Sequence, residues 1–538
     1  MGARAQQSYS GYYGGDVRLV DFSGGLMIPN TSMGVSAIPA NYLVKATNVD
    51  TAGRSIRKQL GFSRVTSGTV AGGISNFFYD EKTQKVYVSY ADKWGEISGT
   101  TINQLTGATG FTNNATWYFS RNGVHIFGTN GTDAPRKWNS DTSTLSTITT
   151  PPVTWTVGNY PTVSFTWMGR TWAWVGDILY YSKLYDCDVW TAGTAANDGG
   201  AITIGNDGQE ITCVIPLARG LLIFKKRGCY ILTGSSSFST SATTVYFDQT
   251  TFDWTQLSPT VGATSPRGYV VVDERAYVWG ISEVYEIAQT NSQALVEISV
   301  ISQNIAPAIN DVVALTDQIT AVHYPERRQI WFAVAKDLAS TTIDTVYCYD
   351  YYNVDPDTRI GGWFIREGYE HKVHANVLVS DKLVIYSGGY SGNSYVFRQN
   401  LGRDFDTVAM SAEAWTAWIP LGNVAKGRVN ETVLYLAEGW TQSLVYSYAY
   451  DFNNSYNEQQ ALNPPVPSST WTTITSSTYG STFGSGSTGS WVSGSVNIQV
   501  VPIFDEGRRI QHRFYSNVTG SSFDIIEILH AVQTVGYA

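Results

Sequence analysis

The chain has 538 residues, of which 43% are hydrophobic, 13% aromatic and only 15% charged, and its formal net charge is −9. This composition excludes an intrinsically disordered chain, and the length exceeds what one core holds, so we expect two or three domains. The acidic balance argues against a protein whose task is to hold nucleic acid, because phosphate affinity needs clustered Lys and Arg.

The N-terminal region, residues 1–70, is predicted to be a flexible arm followed by platform hairpins. Val17–Leu26 reads as a strand that closes on a Gly-Gly turn, where both residues can adopt positive φ. Pro39–Asn48 reads as a turn or two of helix begun by the proline. Gly53–Phe62 is predicted to form a hairpin.

A short unit recurs seven times between residues 75 and 398, and its first copy is Ser75–Ile97. Each copy has two or three strands rich in β-branched and aromatic residues, joined by short polar turns. The central strands begin at residues 86, 124, 171, 221, 276, 330 and 383, which gives a period of 38 to 55 residues. This pattern predicts an all-β fold in which residues 71–404 form a β-propeller of about seven blades. The alternative is one long antiparallel array or sandwich.

Two further features refine this fold. Propeller rings often close by mixing early and late strands, so we expect residues 62–70 to complete the last blade. Outside the repeats, a short helical piece is predicted near Ala306–Leu315.

Residues 405–538 are predicted to form a C-terminal β-sandwich platform, interrupted by an exposed loop at 453–494 that is rich in Ser, Thr and Gly. We expect the N- and C-terminal regions to pack into one platform, because each alone has too few strands for a stable core. The strands predicted here are Glu413–Pro420, Val433–Leu436, Ser443–Tyr450, Val496–Ile503, Arg508–Ser516 and Ser522–His530.

No motif in the sequence indicates a catalytic, cofactor-binding or metal-binding residue. His371 and His374 have a spacing that a helix could use for a metal, but they fall where we predict loop and strand. Asp350, Asp355 and Asp357 are interpreted as turn-forming, solvated aspartates, in preference to a calcium loop or a glycosidase pair. We therefore expect a protein that is not an enzyme and needs no cofactor.

The four cysteines show no paired spacing, so they are interpreted as reduced, buried residues. They are Cys187, Cys213, Cys229 and Cys348. The chain has neither an apolar signal core near Met1 nor an apolar run of membrane-spanning length. We expect a product made in a cytosol, with no membrane anchor of its own.

The opening of the chain resembles the tail nozzle or hub proteins of short-tailed bacteriophages, the tail tubular protein B-like family. Its family pattern is a DFSGGL strand, a run ending in Asn-Val-Asp, and a Gly- and Arg-containing hairpin that closes on Gly. Gln59 and Leu60 stand where the pattern usually has Arg and Pro, and Tyr42 stands where Ala or Glu is common. The residues that match are Asp21, Phe22, Ser23, Gly24, Gly25, Asn48, Val49, Asp50, Gly53, Arg57, Lys58 and Gly61.

The resemblance implies a structural virion protein that is made in the host bacterial cytoplasm. It would form a homohexameric ring at the end of the tail, join the portal-adaptor protein, and contact tail fibres and the tail needle. Genomic DNA would pass through its lumen without specific binding. Two alternatives stay open: a propeller of the tail that binds or degrades polysaccharide, and a stopper or adaptor protein of the same tail.

Overall fold

The computed structural model describes residues 15–29, 38–51, 54–70, 72–239, 244–289, 296–354, 360–390, 395–421, 426–437, 444–452, 457–462, 489–493 and 496–535. The chain divides into two compact units. The platform unit comprises Met1–Ser63, Cys348–Gly368 and Asn400–Ala538. The propeller unit comprises Arg64–Tyr347 and Tyr369–Gln399.

The described part of the chain is almost wholly β-structure, with one short α-helix, α1 (Ala306–Asp311). The strands of the first half are β1 (Gly15–Leu19), β2 (Gly25–Leu26), β3 (Tyr42–Thr47), β4 (Val49–Asp50), β5 (Ile56–Lys58), β6 (Phe62–Arg64), β7 (Ile74–Asp80), β8 (Lys85–Tyr90), β9 (Lys93–Ser98), β10 (Thr101–Gln104), β11 (Tyr118–Asn122), β12 (His125–Thr129), β13 (Arg136–Asn139), β14 (Thr144–Thr147), β15 (Ser164–Trp167), β16 (Arg170–Val175), β17 (Ile178–Tyr181), β18 (Gly200–Thr203), β19 (Ile211–Leu217), β20 (Gly220–Lys225), β21 (Cys229–Thr233), β22 (Ser236–Ser239), β23 (Thr244–Phe247) and β24 (Asp253–Ser258). Those of the second half are β25 (Tyr269–Val272), β26 (Arg275–Trp279), β27 (Val284–Gln289), β28 (Val296–Val300), β29 (Thr320–Tyr324), β30 (Gln329–Val334), β31 (Thr345–Val354), β32 (Gly361–Glu367), β33 (Val373–Val379), β34 (Lys382–Gly388), β35 (Val396–Gln399), β36 (Ala412–Thr416), β37 (Ile419–Pro420), β38 (Lys426–Ala437), β39 (Leu444–Tyr450), β40 (Asn457–Leu462), β41 (Gly489–Ser493), β42 (Val496–Gly507), β43 (Arg509–Ser516) and β44 (Asp524–Val535).

The repeats predicted from the sequence form successive antiparallel sheets. Four-stranded sheets are built from β7 to β10, from β11 to β14, from β15 to β18, from β19, β20, β21 and β24, from β25 to β28, and from β33 to β35 with β6. Strands β29, β30 and β31 occupy the sixth place in this series. Every central strand begins within one residue of its predicted start. The structure is therefore an all-β propeller with seven blade-like units.

Neighbouring blades bury their apolar faces against one another, in clusters that join the first to the second blade and so on to the fifth. Trp279 of the fifth blade packs on Phe332 of the sixth, with 5.5 Å between ring centroids. Strand β29 of the sixth blade contacts β33 of the seventh. A last cluster contains Ile74 of the first blade and Val373 of the seventh, so the series closes into a ring.

Polar side chains link successive inner strands as well. Asn76 Nδ2 donates to the Trp117 carbonyl at 2.8 Å, which joins blades one and two. Ser265 Oγ donates to the Ile319 carbonyl at 2.6 Å, which joins blades five and six. Each such bond satisfies a buried backbone acceptor at the end of a strand.

The chain immediately before the first blade completes the last one, as predicted for residues 62–70. The Val65 N–H donates to the Val396 carbonyl at 2.8 Å, and the Val396 N–H donates to Thr66 Oγ1 at 3.1 Å. The seventh sheet has the order β33-β34-β35-β6. Early residues thus supply the outermost strand of the last blade.

The platform unit contains two sheets that mix strands from both ends of the chain. One has the order β4-β5-β44-β38-β42-β41, with β1 beside β44. In the other, the strands β32-β2-β3-β36-β43-β39-β40 follow one another, with β37 beside β43. The buried side chain of His512 in β43 contacts that of His530 in β44, so the two sheets pack face to face as a sandwich.

Two sequence predictions are wrong. The region predicted as helix, Pro39–Asn48, contains the strand β3, which pairs with β2 in parallel and with β36 in antiparallel fashion. Tertiary pairing decides this segment, because Tyr42 and Leu43 are buried strand-forming residues. The predicted loop at 453–494 contains β40 and β41, and its remaining residues lie outside the described part. By contrast, the helix predicted near Ala306–Leu315 is confirmed by α1.

Candidate functional site

The first motif segment forms a tight, buried turn in the platform unit. Asp21 Oδ1 accepts the Ser23 N–H at 2.9 Å, and the Phe22 side chain is fully buried. Gly25 has a φ of +68°, and a Cβ there would lie 2.7 Å from the Gly362 Cα. Glycine is needed at this position because the backbone is left-handed and the next strand approaches so closely.

Asn48 ties three distant segments of the platform together. Its Nδ2 donates to the Glu367 carbonyl at 2.9 Å and to the Ser411 carbonyl at 2.6 Å, and its Oδ1 accepts the Glu367 N–H at 3.1 Å. Its φ is +55°, a conformation that asparagine tolerates better than most residues. A short amide that both donates and accepts therefore suits this position.

The motif hairpin pairs Val49 with Lys58 and Asp50 with Arg57. The Arg57 guanidinium lies 3.0 Å from the Asp50 carboxylate, which is buried. Lys58 Nζ donates to Ser521 Oγ at 2.5 Å. Burial lowers the pKa of Lys58 to about 8, although the nearby Asp404 carboxylate opposes the shift.

Gln59, which departs from the family pattern, contacts a buried arginine from another segment. Arg366 donates to Gln59 Oε1 at 3.1 Å and to the Leu60 carbonyl at 2.8 Å. Gln59 Nε2 donates in turn to the Val49 carbonyl at 3.0 Å. The guanidinium that contacts Gln59 and Leu60 therefore comes from a distant strand, β32.

Gly61 closes the motif, where a Cβ would lie 1.8 Å from the Asp404 carbonyl oxygen. Its N–H donates to the Gly402 carbonyl at 3.1 Å, and its own carbonyl accepts the Leu401 N–H at 3.2 Å. Gly53 lies outside the described residues. The other motif residues are brought together in the platform unit, where their polar groups bond to one another and to distant strands.

Sequence reasoning missed the partners of these motif residues, above all Arg366, Asp404 and Ser521. Lys58 and Ser521 are 463 positions apart, and Gln59 and Arg366 are 307 apart. A single sequence carries no signal for pairings at such separations. Chemically, the motif cluster is a scaffold, because its charged groups are engaged in holding strands together.

A second buried network joins the two sheets of the platform. Tyr446 Oη lies 2.8 Å from His512 Nδ1, the two Nε2 atoms of His512 and His530 are 2.9 Å apart, and His530 Nδ1 is 2.9 Å from Thr432 Oγ1. Burial lowers the pKa of His530 to about 3 and that of His512 well below its usual value. Both imidazoles are therefore neutral at pH 7, and one of them donates to the other.

His371 and His374, the two residues considered as metal ligands, lie among aromatic and polar side chains. His371 stacks on Phe397 with 4.7 Å between ring centroids, and its Nδ1 lies 3.0 Å from Gln399 Nε2. The His371 and His374 rings are 6.0 Å apart. Within the described ranges, no group of three or more His, Cys, Asp or Glu side chains could hold a metal ion.

Asp350 forms a turn, as predicted, but it is buried and not solvated. Its Oδ1 accepts the N–H groups of Tyr352 and Asn353 at 2.9 and 3.1 Å. Burial raises the pKa of its carboxyl group. Asp355 and Asp357 lie outside the described residues.

The four cysteines are all buried and none forms a disulfide. Burial raises the pKa of Cys187 and of Cys229 to about 12.

Among the helices of the described ranges, none is long and apolar enough to cross a lipid bilayer.

The axis of the propeller carries polar residues that the sequence analysis did not single out. An Arg267 guanidinium nitrogen donates to the Ser75 carbonyl at 3.2 Å and lies 3.4 Å from Asn76 Oδ1. The same guanidinium lies over the Tyr118 ring, 5.5 Å from its centroid. Lys372 Nζ lies 3.5 Å from Ser75 Oγ.

No protein-family model matches the chain, and a search of curated proteins found no match. Similar solved structures include the β-propeller domain of Cps50 (Swd1) from Myceliophteria thermophila, at 8% identity and a TM-score of 0.39, over 62% of this chain and 99% of that one. YCF48 from Cyanidioschyzon merolae is 10% identical, with a TM-score of 0.39, over 63% of this chain and 98% of that one. The extracellular domain of BT4673 from B. thetaiotaomicron is 10% identical, with a TM-score of 0.39, over 81% and 58% of the two chains. Similarities this remote say nothing about function, and the propeller assignment rests on the sheets and blade contacts described above.

Proposed function

We propose that this chain is a structural virion protein, the nozzle or hub ring at the end of a short bacteriophage tail. The observation that carries the proposal is the opening motif, whose residues resemble those of the nozzle family. Its described members lie together in the platform unit, where they pair with one another and form hydrogen bonds with distant segments. Motif residues that hold strands together suit a structural component of an assembly better than a catalytic site.

In the proposed assembly, six copies surround the channel through which DNA leaves, and the ring joins the portal-adaptor protein to distal tail parts. Identical copies in a closed ring must meet through heterologous interfaces. The net charge of −9 fits a lumen that lets DNA slide, since a basic lining would hold the phosphates. Tail fibres and a tail needle are the further partners that this proposal implies.

A candidate subunit contact lies beside the motif in the platform unit. Leu60, Leu401 and Val408 are exposed by 37%, 42% and 65%. Leu60 and Leu401 adjoin the hydrogen bonds of Gly61 with Gly402 and Leu401, and the Val408 carbonyl accepts the Phe405 N–H at 2.8 Å. Apolar side chains on a backbone fixed in this manner can pack against a second copy without a large ordering cost.

The test is native mass spectrometry of the purified chain at micromolar concentration, followed by cryo-electron microscopy. We expect a species of six times 59.0 kDa and a ring with sixfold symmetry. A Val408→Asp variant should shift the population towards monomers, whereas Leu338→Asp, at an exposed position of the propeller unit, should not. A wild-type chain that stays monomeric over the whole concentration range would contradict the ring.

A second measurement tests the location. Gold-labelled antibodies raised against the chain should mark the tail tip of intact phage particles. Label on the capsid, or none on any particle, would count against a nozzle. The stopper and polysaccharide alternatives stay predictions, the first tested by the position of the label and the second by oligosaccharide binding.

A further inference from the structure

Arg267 reaches across the central space of the propeller. It lies just before β25 of the fifth blade, and its carbonyl accepts the Ala321 N–H of the sixth blade at 2.7 Å. Its side chain nevertheless bonds to Ser75 and Asn76 of the first blade. Blades five and one are not neighbours in the ring, so the guanidinium must lie at the axis.

Lys372 brings a second cation to the same place. It precedes β33 of the seventh blade, and its Nζ lies 3.5 Å from Ser75 Oγ, while Arg267 binds the carbonyl of that same residue. Burial, and then the positive charge of Arg267, lower the pKa of Lys372 to about 8. At pH 7 the axis therefore carries two positive charges at close range.

Neither cation is neutralised by a direct partner. Within the described ranges, no carboxylate forms an ion pair or hydrogen bond with Arg267 or Lys372, and Arg267 Nε is buried without an acceptor. At longer range, the Asp317 carboxylate raises the pKa of Tyr118. The carboxylates of Glu370 and Asp344 likewise raise the pKa of Tyr390. Burying like charges together is unfavourable unless an anion compensates them.

Two tyrosines lie near these cations: the Tyr118 ring lies under the Arg267 guanidinium, and the charge of Arg267 acts on Tyr390. Burial raises the pKa of Tyr118 and of Tyr390, so both hydroxyls keep their protons at neutral pH. Tyr390 Oη accepts the Ile343 N–H at 2.7 Å, which leaves its own proton free to be donated. A guanidinium, an ammonium and phenol groups together are donors suited to an oxyanion.

We propose that Arg267 and Lys372 form an anion-binding site at the propeller axis, which takes the carboxylate or phosphate group of a small molecule. The guanidinium supplies directional donors, and the lysine supplies a point charge. A small ligand is indicated because both cations converge on one residue, Ser75, and both side chains are partly buried. The site goes beyond the proposed tail function and does not depend on it.

The experiment is isothermal titration calorimetry of the full chain with inorganic phosphate and, in a separate arm, with acetate. Ionic strength is held constant with sodium chloride, and the measurement is made at pH 7. We expect saturable binding in at least one arm, and a loss of about tenfold or more in affinity for Lys372→Gln. The matched control is Lys382→Gln, an exposed lysine of the same blade, which should bind like the wild type.

The pH dependence provides an independent measurement. Affinity of the wild type should fall above about pH 8, because Lys372 then loses its proton. Lys372→Arg should retain binding up to pH 9, which separates a charge effect from a folding defect even if Lys372→Gln is unstable. Equal affinity in Lys372→Gln and Lys382→Gln, no saturable binding in either arm, or a wild-type affinity that is flat to pH 9, would overturn the proposal.

Discussion

The propeller unit and the platform unit are both built almost wholly of β-strands, but they differ in how far apart along the chain their paired strands lie. In the propeller unit each strand pairs mostly with its immediate predecessor and successor. In the platform unit β5 pairs with β44, and β3 pairs with β36. Local pairing leaves a repeated pattern in the sequence, whereas distant pairing leaves none.

The largest expected effect tests whether the propeller behaves as a ring of locally packed blades. Trp172 is fully buried in the cluster between the third and fourth blades. Trp172→Ala should lower the free energy of unfolding of the propeller unit by about 3–5 kcal/mol, because it removes a large buried side chain and leaves a cavity. Urea denaturation measures the change, and hydrogen exchange locates it.

We expect the loss of protection to be greatest in β15 to β21 and small in the platform strands. An equal loss of protection in the strands of the platform unit would break the distinction between the two regions.

The next effect concerns the platform. Gly61→Ala should lower the free energy of unfolding by about 3 kcal/mol, because the new Cβ would overlap the Asp404 carbonyl and force the backbone to shift. Gly68→Ala is the control, since a Cβ at Gly68 meets nothing within 4 Å. Similar urea midpoints for the two variants would show that the backbone at Gly61 is not tightly packed against Asp404.

The smallest effect is an acid sensitivity of the platform. Folding lowers the pKa of His512 and His530, so below about pH 6.5 the unfolded chain binds protons that the native chain does not. Their contribution to stability is therefore complete above pH 6.5 and is lost as the pH falls towards 3. Between pH 7.5 and pH 5.5 we expect the platform to lose about 2 kcal/mol, measured by urea denaturation.

A matched pair of variants assigns this acid sensitivity. His530→Gln should reduce the pH slope, whereas His125→Gln in the propeller should change it less, because His125 is only partly buried. An unchanged slope in His530→Gln would place the acid sensitivity elsewhere.

The sequence predicted most of the propeller, because its inner strands alternate apolar and aromatic residues between polar turns. The outermost strands were missed, since segments such as β10 and β14 are largely exposed and lack a buried face. The strand β3 was mistaken for helix because its antiparallel partner, β36, lies hundreds of residues away. The roles of Arg366 and Arg267 could not be predicted from the sequence, because each contacts residues that are distant along the chain.

The pairing of β5 with β44 also has a consequence for synthesis on the ribosome. The hydrogen bond from Lys58 of β5 to Ser521 cannot form until Ser521 has been synthesised, 463 positions later. At a translation rate of about 5–20 residues per second, the early platform strands stay without their partners for roughly half a minute to a minute and a half. During that interval their edges are open to wrong pairing, so newly made chains are expected to depend on chaperones until the last strand emerges.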